Sequence, residues 1–117
     1  MNDAPIAFIG GGNMARSLVG GLVARGLAPA AIRVSEPVPA LREALHGEFG
    51  VQVVGGNAEA VAGAGTWVLA VKPQVLRGVC EALAPLAQQA RPMELILTIA
   101  YGVTNRLILH RLRRYPV

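Results

Sequence analysis

The sequence is short of cysteine, aromatics and charge. Its one cysteine, Cys80, has no partner for an internal disulfide, and no histidine stands near it to suggest a metal site. Set in an apolar helical pattern, it reads as a buried, inert thiol. Aromatics make up 4% of residues, only Phe8, Phe49, Trp67, Tyr101 and Tyr115, too few to interleave with cations as a nucleic-acid surface requires. Charged residues are 15% against 53% hydrophobic, which excludes intrinsic disorder. No apolar run reaches the ~18 residues of a membrane span, because glycine, proline, arginine or lysine breaks each one. The two histidines, His46 and His110, stand among charged residues and read as solvated, and no Ser-His-Asp, Cys-His or metal-ligand spacing is present.

What remains is a chain of 117 residues, the usual size of one domain, with enough apolar material for one core. Its net charge of +4 is local: Arg106, Arg111, Arg113 and Arg114 lie in a stretch from Leu95 to Val117 that contains no acid, and the rest is balanced. Such mild basicity suits a phosphorylated small molecule better than nucleic acid. The first residues, Met1-Asn2-Asp3-Ala4-Pro5, carry an acid where a signal peptide carries positive charge, so a soluble, cytoplasmic protein is expected.

The pattern is an alternation. Ile6 to Ile9 reads as a strand, and Asn13 to about Arg25 as a helix with Met14, Leu18, Leu22, Val19 and Val23 apolar and Gly26 as its stop. Ala31 to Ser35 is a second strand, Pro37 or Val38 to about His46 a helix, and Val51 to Val54 a third strand. Asn57 is the expected N-cap of a short helix through Ala62. Thr66 to Val71 is apolar on both faces, as a central parallel strand is. A helix from about Pro73 to Gln89, a fifth strand from Glu94 to Ile99 and an amphipathic segment from Thr104 complete the order. The expectation is an α/β fold, a Rossmann-like doubly wound parallel sheet of about five strands, with ligands at the carboxyl ends of the strands.

Three stretches carry the chemistry. Gly10, Gly12 and Ala15 form G-x-G-x-x-A between a strand and a helix: a tight turn, an approach for a pyrophosphate and a close helix contact, with the helix's free amides facing the phosphates. Glu36 ends the second strand at the position of an acid that bonds a ribose hydroxyl, and the alternative is that it caps the helix begun by Pro37. Ser35 can donate to a phosphate, and Arg42, about one turn into the next helix, is the cation near it. In Val68-Leu69-Ala70-Val71-Lys72-Pro73 a buried strand ends in lysine and proline, so Ala70 to Pro73 are expected to border the nicotinamide ribose. A solvated loop lysine is the alternative for Lys72.

Taken together, Phe8-Ile9-Gly10-Gly11-Gly12-Asn13-Met14-Ala15, Gly20-Gly21-Leu22, Asn57-Ala58-Glu59-Ala60-Val61 and Ala70-Val71-Lys72-Pro73-Gln74 resemble the N-terminal half of pyrroline-5-carboxylate reductase, in order and spacing, over residues 5 to about 103. The resemblance implies reduction of a cyclic imine to proline by hydride transfer from NADPH or NADH, with NADPH favoured. It assigns Ile9, Gly10, Gly11, Gly12, Asn13 and Met14 to the pyrophosphate, Ser35 to the adenosine ribose or its phosphate, and Asn57 to the cofactor. Ala70, Val71, Lys72 and Pro73 flank the nicotinamide side. The family's S-I-A-A-G turn corresponds to Thr98-Ile99-Ala100-Tyr101-Gly102, which adds Ala100 to the cofactor residues and places the bulk of Tyr101 beside it.

The resemblance also implies a helical domain that dimerises and completes the substrate pocket, for which residues 104–117 offer only a divergent basic segment. The expectation is therefore one dinucleotide-binding domain over 1–117, binding nucleotide but inactive or weakly active alone. Two alternatives stand beside it: a non-catalytic nucleotide-binding or interaction module whose C-terminal segment docks a partner or itself, and the cofactor domain of another imine or F420-type reductase.

Overall fold

In the computed structural model, which describes residues 5–89 and 94–97, strands and helices alternate as β1 (Ile6–Ile9), α1 (Asn13–Ala24), β2 (Ile32–Ser35), α2 (Pro39–Phe49), β3 (Gln52–Val54), α3 (Asn57–Val61), β4 (Thr66–Leu69), α4 (Pro73–Gln89) and β5 (Glu94–Leu97). The strands form one parallel sheet in the order β3-β2-β1-β4-β5. Strand order therefore reverses between β1 and β4, and their carboxyl ends are where such a sheet opens a crevice. The fold class expected from the alternation is the one observed.

The two central strands, β1 and β4, feed two cores because successive side chains leave opposite faces. Phe8 of β1, Ile32 and Val34 of β2 and Val68 of β4 pack with Ala15 and Val19 of α1 and Leu45 of α2. On the other face Ala7 and Ile9, with Trp67 and Leu69, pack against Ala60 and Val61 of α3 and Leu76, Val79, Cys80 and Leu83 of α4. Phe8, Ile9, Ile32 and Trp67 are at most 1% exposed. At about 1.5–3 kcal/mol for each buried large side chain, these two layers supply most of what holds the sheet.

The same alternation sends the two polar residues of β2 toward α3. Arg33 donates from Nη1 to the carbonyls of Glu59, Ala60 and Ala62 at 3.2, 3.0 and 2.8 Å, a cation at the carbonyl end of a five-residue helix. Ser35 holds the other end, its hydroxyl donating to Asn57 Oδ1.

Several sequence expectations shift. Asn57 is the first helical residue of α3 behind Gly56, rather than its N-cap, because the Ser35 hydroxyl takes its side-chain oxygen. Leu18 is 38% exposed, and the buried stripe of α1 runs instead through Ala15 and Val19. Pro29 and Ala31 form a 3₁₀ turn before β2, and α2 begins at Pro39, where a missing amide removes no helical bond. It runs on to Phe49, whose ring packs so near Gly20 that a Cβ there would stand 3.2 Å from it. The β4 ladder ends at Leu69, two residues early, as the Lys72 carbonyl accepts from Val75 and Leu76 at 3.0 and 3.1 Å and turns the chain into α4. His46 is exposed, with Nδ1 3.0 Å from the Val51 carbonyl oxygen. Cys80 is buried, as read from its pattern. Thr98 to Ile99, the basic stretch 104–117 and His110 lie outside the described residues.

Candidate functional site

The turn after β1 contains three glycines under three different constraints. Gly10 carries the ladder one residue further, donating to the Ser35 carbonyl at 3.0 Å, while Ala70 donates to the Ile9 carbonyl at 2.9 Å. Its φ is +104°, and a Cβ would meet the Ala70 carbonyl oxygen at 2.5 Å. Only glycine fits. Gly11 is buried, donates to Glu36 Oε1 at 3.0 Å, and has room for no Cβ, since Glu36 Cβ and Oε1 would lie 2.9 Å away.

Gly12 differs from both. Its φ and ψ of −77° and −165° are open to any residue, and nothing lies within 4 Å of a Cβ built there. It stands at the N-cap of α1 with no side chain to cap the helix, and no acid occupies the first turn. The unpaired amides and positive dipole end thus border open space, the arrangement that receives anions at helix starts.

This space belongs to a crevice of about 450 Å³ between the ends of β1 and β4, within the range of small-molecule sites. Its polar wall is formed by Ser35, Glu36, Pro37, Gly55 and Asn57. Glu36 is 6% exposed; Oε2 accepts from the Val38 amide at 2.9 Å, as Oε1 does from Gly11, and its own amide donates to the Val54 carbonyl at 2.9 Å. Arg42 Nη1 donates to the Glu36 carbonyl at 2.7 Å. The opposite wall is Ala70, Val71, Lys72, Val75 and Val79. Lys72 is exposed, and Val75 is 49% exposed.

Of the residues singled out from sequence, Ile9, Gly10, Gly11, Gly12 and Asn13 line the floor, Ser35, Glu36 and Asn57 one wall, and Ala70, Val71 and Lys72 the other. Met14 is half-buried in the first turn of α1 and is not among the residues lining the crevice. Pro73 is the first residue of α4. Ala100 and Tyr101 lie outside the described residues. For Glu36 both oxygens are engaged by backbone amides, which is the capping alternative extended to the glycine turn. Pro37, Gly55, Val75 and Val79 line the crevice without having been singled out. The spacing of Val75 and Val79, one helical turn apart after Lys72, was the available signal for the last two.

Among the described residues no group of three or more His, Cys, Asp or Glu is arranged to hold a metal ion, and no helix is long and apolar enough to cross a membrane.

A parallel sheet with a glycine turn at its reversal point and helices on both faces is a Rossmann-like fold. The model of the family described as NADP oxidoreductase, coenzyme F420-dependent, matches residues 5–101, and the chain belongs to that family. Pyrroline-5-carboxylate reductases are among its relatives, in keeping with the resemblance carried by the motifs. That of Pseudomonas aeruginosa is 52% identical over 103 residues and that of Vibrio alginolyticus 39% over 103, each alignment covering 88% of this chain and 37% of the relative. The chain thus spans little more than a third of their length. The structure of a pyrroline-5-carboxylate reductase from Coxiella burnetii superposes with a TM-score of 0.82 at 35% identity, over 95% of this chain and 40% of the other. Levoglucosan dehydrogenase, in complex with NADH and levoglucosan, shares the fold alone, with a TM-score of 0.56 at 18% identity over 80% of this chain and 27% of the other.

Proposed function

We propose that residues 1–117 form one domain that binds a nicotinamide dinucleotide across the crevice, as the cofactor-holding part of a pyrroline-5-carboxylate reductase. The observation that carries this reading is Gly12: the fold requires glycine at 10 and 11 but not at 12, where a side chain would only fill open space at a helix start. A pyrophosphate approaching those amides is the physical reason to keep it empty.

In this reading Ile9 to Asn13 hold the pyrophosphate, with Met14 contributing backbone at most. Ser35 and Asn57 border the adenosine side, and Ala70 to Lys72, with Pro73 opening α4, the nicotinamide side, continued by Ala100. The bound cofactor supplies the hydride that reduces a cyclic imine to an amino acid. The chain's own residues position it, which is where such sites derive much of their rate. Since the described walls are all assigned to the dinucleotide, these 117 residues are expected to bind nucleotide with little or no turnover by themselves.

Calorimetric titration of the chain with NADPH and NADH, followed by nucleotide oxidation in the presence of pyrroline-5-carboxylate, tests both parts. Binding of at least one dinucleotide that Gly12→Asp abolishes supports the site. Failure to bind either overturns it, and turnover at ordinary enzyme rates overturns the need for further residues. The family description favours coenzyme F420 as a second reading, which F420-dependent oxidation of NADPH would support.

A further inference from the structure

With five residues, α3 is too short to hold its own shape, and its last carbonyls need partners from outside the helix. Ala60 and Val61 anchor it by burial, but such contact is non-directional and leaves a short helix free to turn on the sheet. Its direction comes from β2. Arg33 and Ser35, two residues apart, share one face of that strand and take opposite ends of α3. The Ser35 hydroxyl donates to Asn57 Oδ1 at the start. At the other end Arg33 Nη1 gathers the carbonyls of Glu59, Ala60 and Ala62, while its Nε donates to Gln52 Oε1 of β3 at 3.4 Å and is braced from the neighbouring strand.

Asn57 lines the crevice and Arg33 does not. With Oδ1 committed to Ser35, the carboxamide has its NH2 donors left for a ligand. A helix held only at Ser35 would pivot about that bond and carry those donors with it. The grip at the far end, about 7 Å along the helix axis, removes the pivot.

We propose that Arg33, outside the crevice, is a positioning residue for the bound dinucleotide: its hold on the carbonyl end of α3 sets where Asn57 presents its donors. This rests on the dinucleotide reading of the crevice and adds to it a residue that touches no ligand.

The test is a double-mutant cycle on the whole chain, with NADH affinity measured by calorimetry for wild type, Arg33→Ala, Asn57→Ala and the double variant, and folding of each checked by circular dichroism. Loss of one neutral hydrogen bond predicts an affinity about five- to tenfold weaker in Asn57→Ala, and Arg33→Ala approaches the same loss without touching the ligand. The double variant stays within about twofold of Asn57→Ala alone, because Arg33 has nothing left to position. Arg33→Lys, whose ammonium can still donate to those carbonyls, recovers most of the wild-type affinity. Should Arg33→Ala not fold, Arg33→Gln, which keeps a neutral donor, takes its place in the cycle. A folded Arg33 variant that binds NADH as wild type does overturns the proposal. So does a loss that adds in full to that of Asn57→Ala, which is what a general weakening of the fold would give. If Asn57→Ala binds normally, the proposal falls and the crevice reading stands, whereas a wild-type chain that binds no NADH brings down both.

Discussion

The two walls of the crevice are built differently. On the polar wall Glu36 is bonded to Gly11, Val38, Val54 and Arg42, and Ser35 to Asn57 and Gly10, most of them far away along the chain. On the other wall the side chains are those of Ala70, Val71, Lys72, Val75 and Val79, mostly apolar, with Lys72 and Val75 left exposed. A wall locked before ligand arrives gives orientation at little entropic cost, whereas exposed apolar surface gains from being covered. Orientation on one side and contact on the other divide the work of holding a long, two-ended ligand.

The glycine floor joins the walls, and substitutions there break the comparison most sharply. Gly10→Ala places a Cβ against the Ala70 carbonyl in a left-handed backbone, and we expect a loss of more than about 3 kcal/mol in urea unfolding, or no folded protein. Gly12→Asp, two residues on, should unfold within about 1 kcal/mol of wild type, since nothing lies near its Cβ, while dinucleotide affinity drops by about two orders of magnitude or more. Equal destabilisation by the two would show that Gly12 too serves the fold.

On the polar wall Glu36→Ala removes the acceptor of the buried Gly11 amide, and a cost of about 1–3 kcal/mol is expected from denaturant curves. Glu36→Gln keeps one acceptor oxygen and should lose less. If Glu36 instead held the ribose, Glu36→Gln would leave stability untouched and weaken NADH alone.

How legible these walls were in the sequence depends on how local their causes are. The glycine turn, α1 and the start of α4 at Pro73 follow from neighbouring residues, and the chain alone sufficed for them. The strand alternation was also enough to anticipate the sheet, because β4 is apolar on both faces. Glu36 and Asn57 were read by local rules, as a ribose acid or cap and as an N-cap. Glu36 does accept from the Val38 amide two residues on, as a cap, while its other oxygen meets Gly11, 25 residues away, and Asn57 meets Ser35, 22 residues away. Arg33 escaped notice for the same reason: only the sheet brings it to the carbonyl end of α3, 26 to 29 residues on. Leu18 shares the apolar spacing of α1 yet is exposed, because that spacing marks a stripe wider than the face that α1 buries. Side chains engaged in long-range hydrogen bonds are thus the ones a linear reading describes incompletely, and among the described residues Glu36, Ser35 and Asn57 bring them to the polar wall.

The smallest expected effect lies on the open wall and is also the most selective. Val75 is half-exposed on the first turn of α4, so replacing it with alanine removes little that the free protein buries, and unfolding should shift by less than about 0.5 kcal/mol. If the nicotinamide half covers it, two methyl groups are lost from the bound state only. At about 0.8 kcal/mol for each buried carbon, discounted for partial coverage, the affinity for NADH should fall about fivefold. Affinity for 2′,5′-ADP, which ends at the other wall, should not change. Calorimetry with both ligands therefore reads the two walls separately: a fivefold loss for NADH alone assigns Val75 to the nicotinamide side. An equal loss for both would mean that the crevice is one coupled unit, and that the contrast between a locked and an open wall does not govern binding.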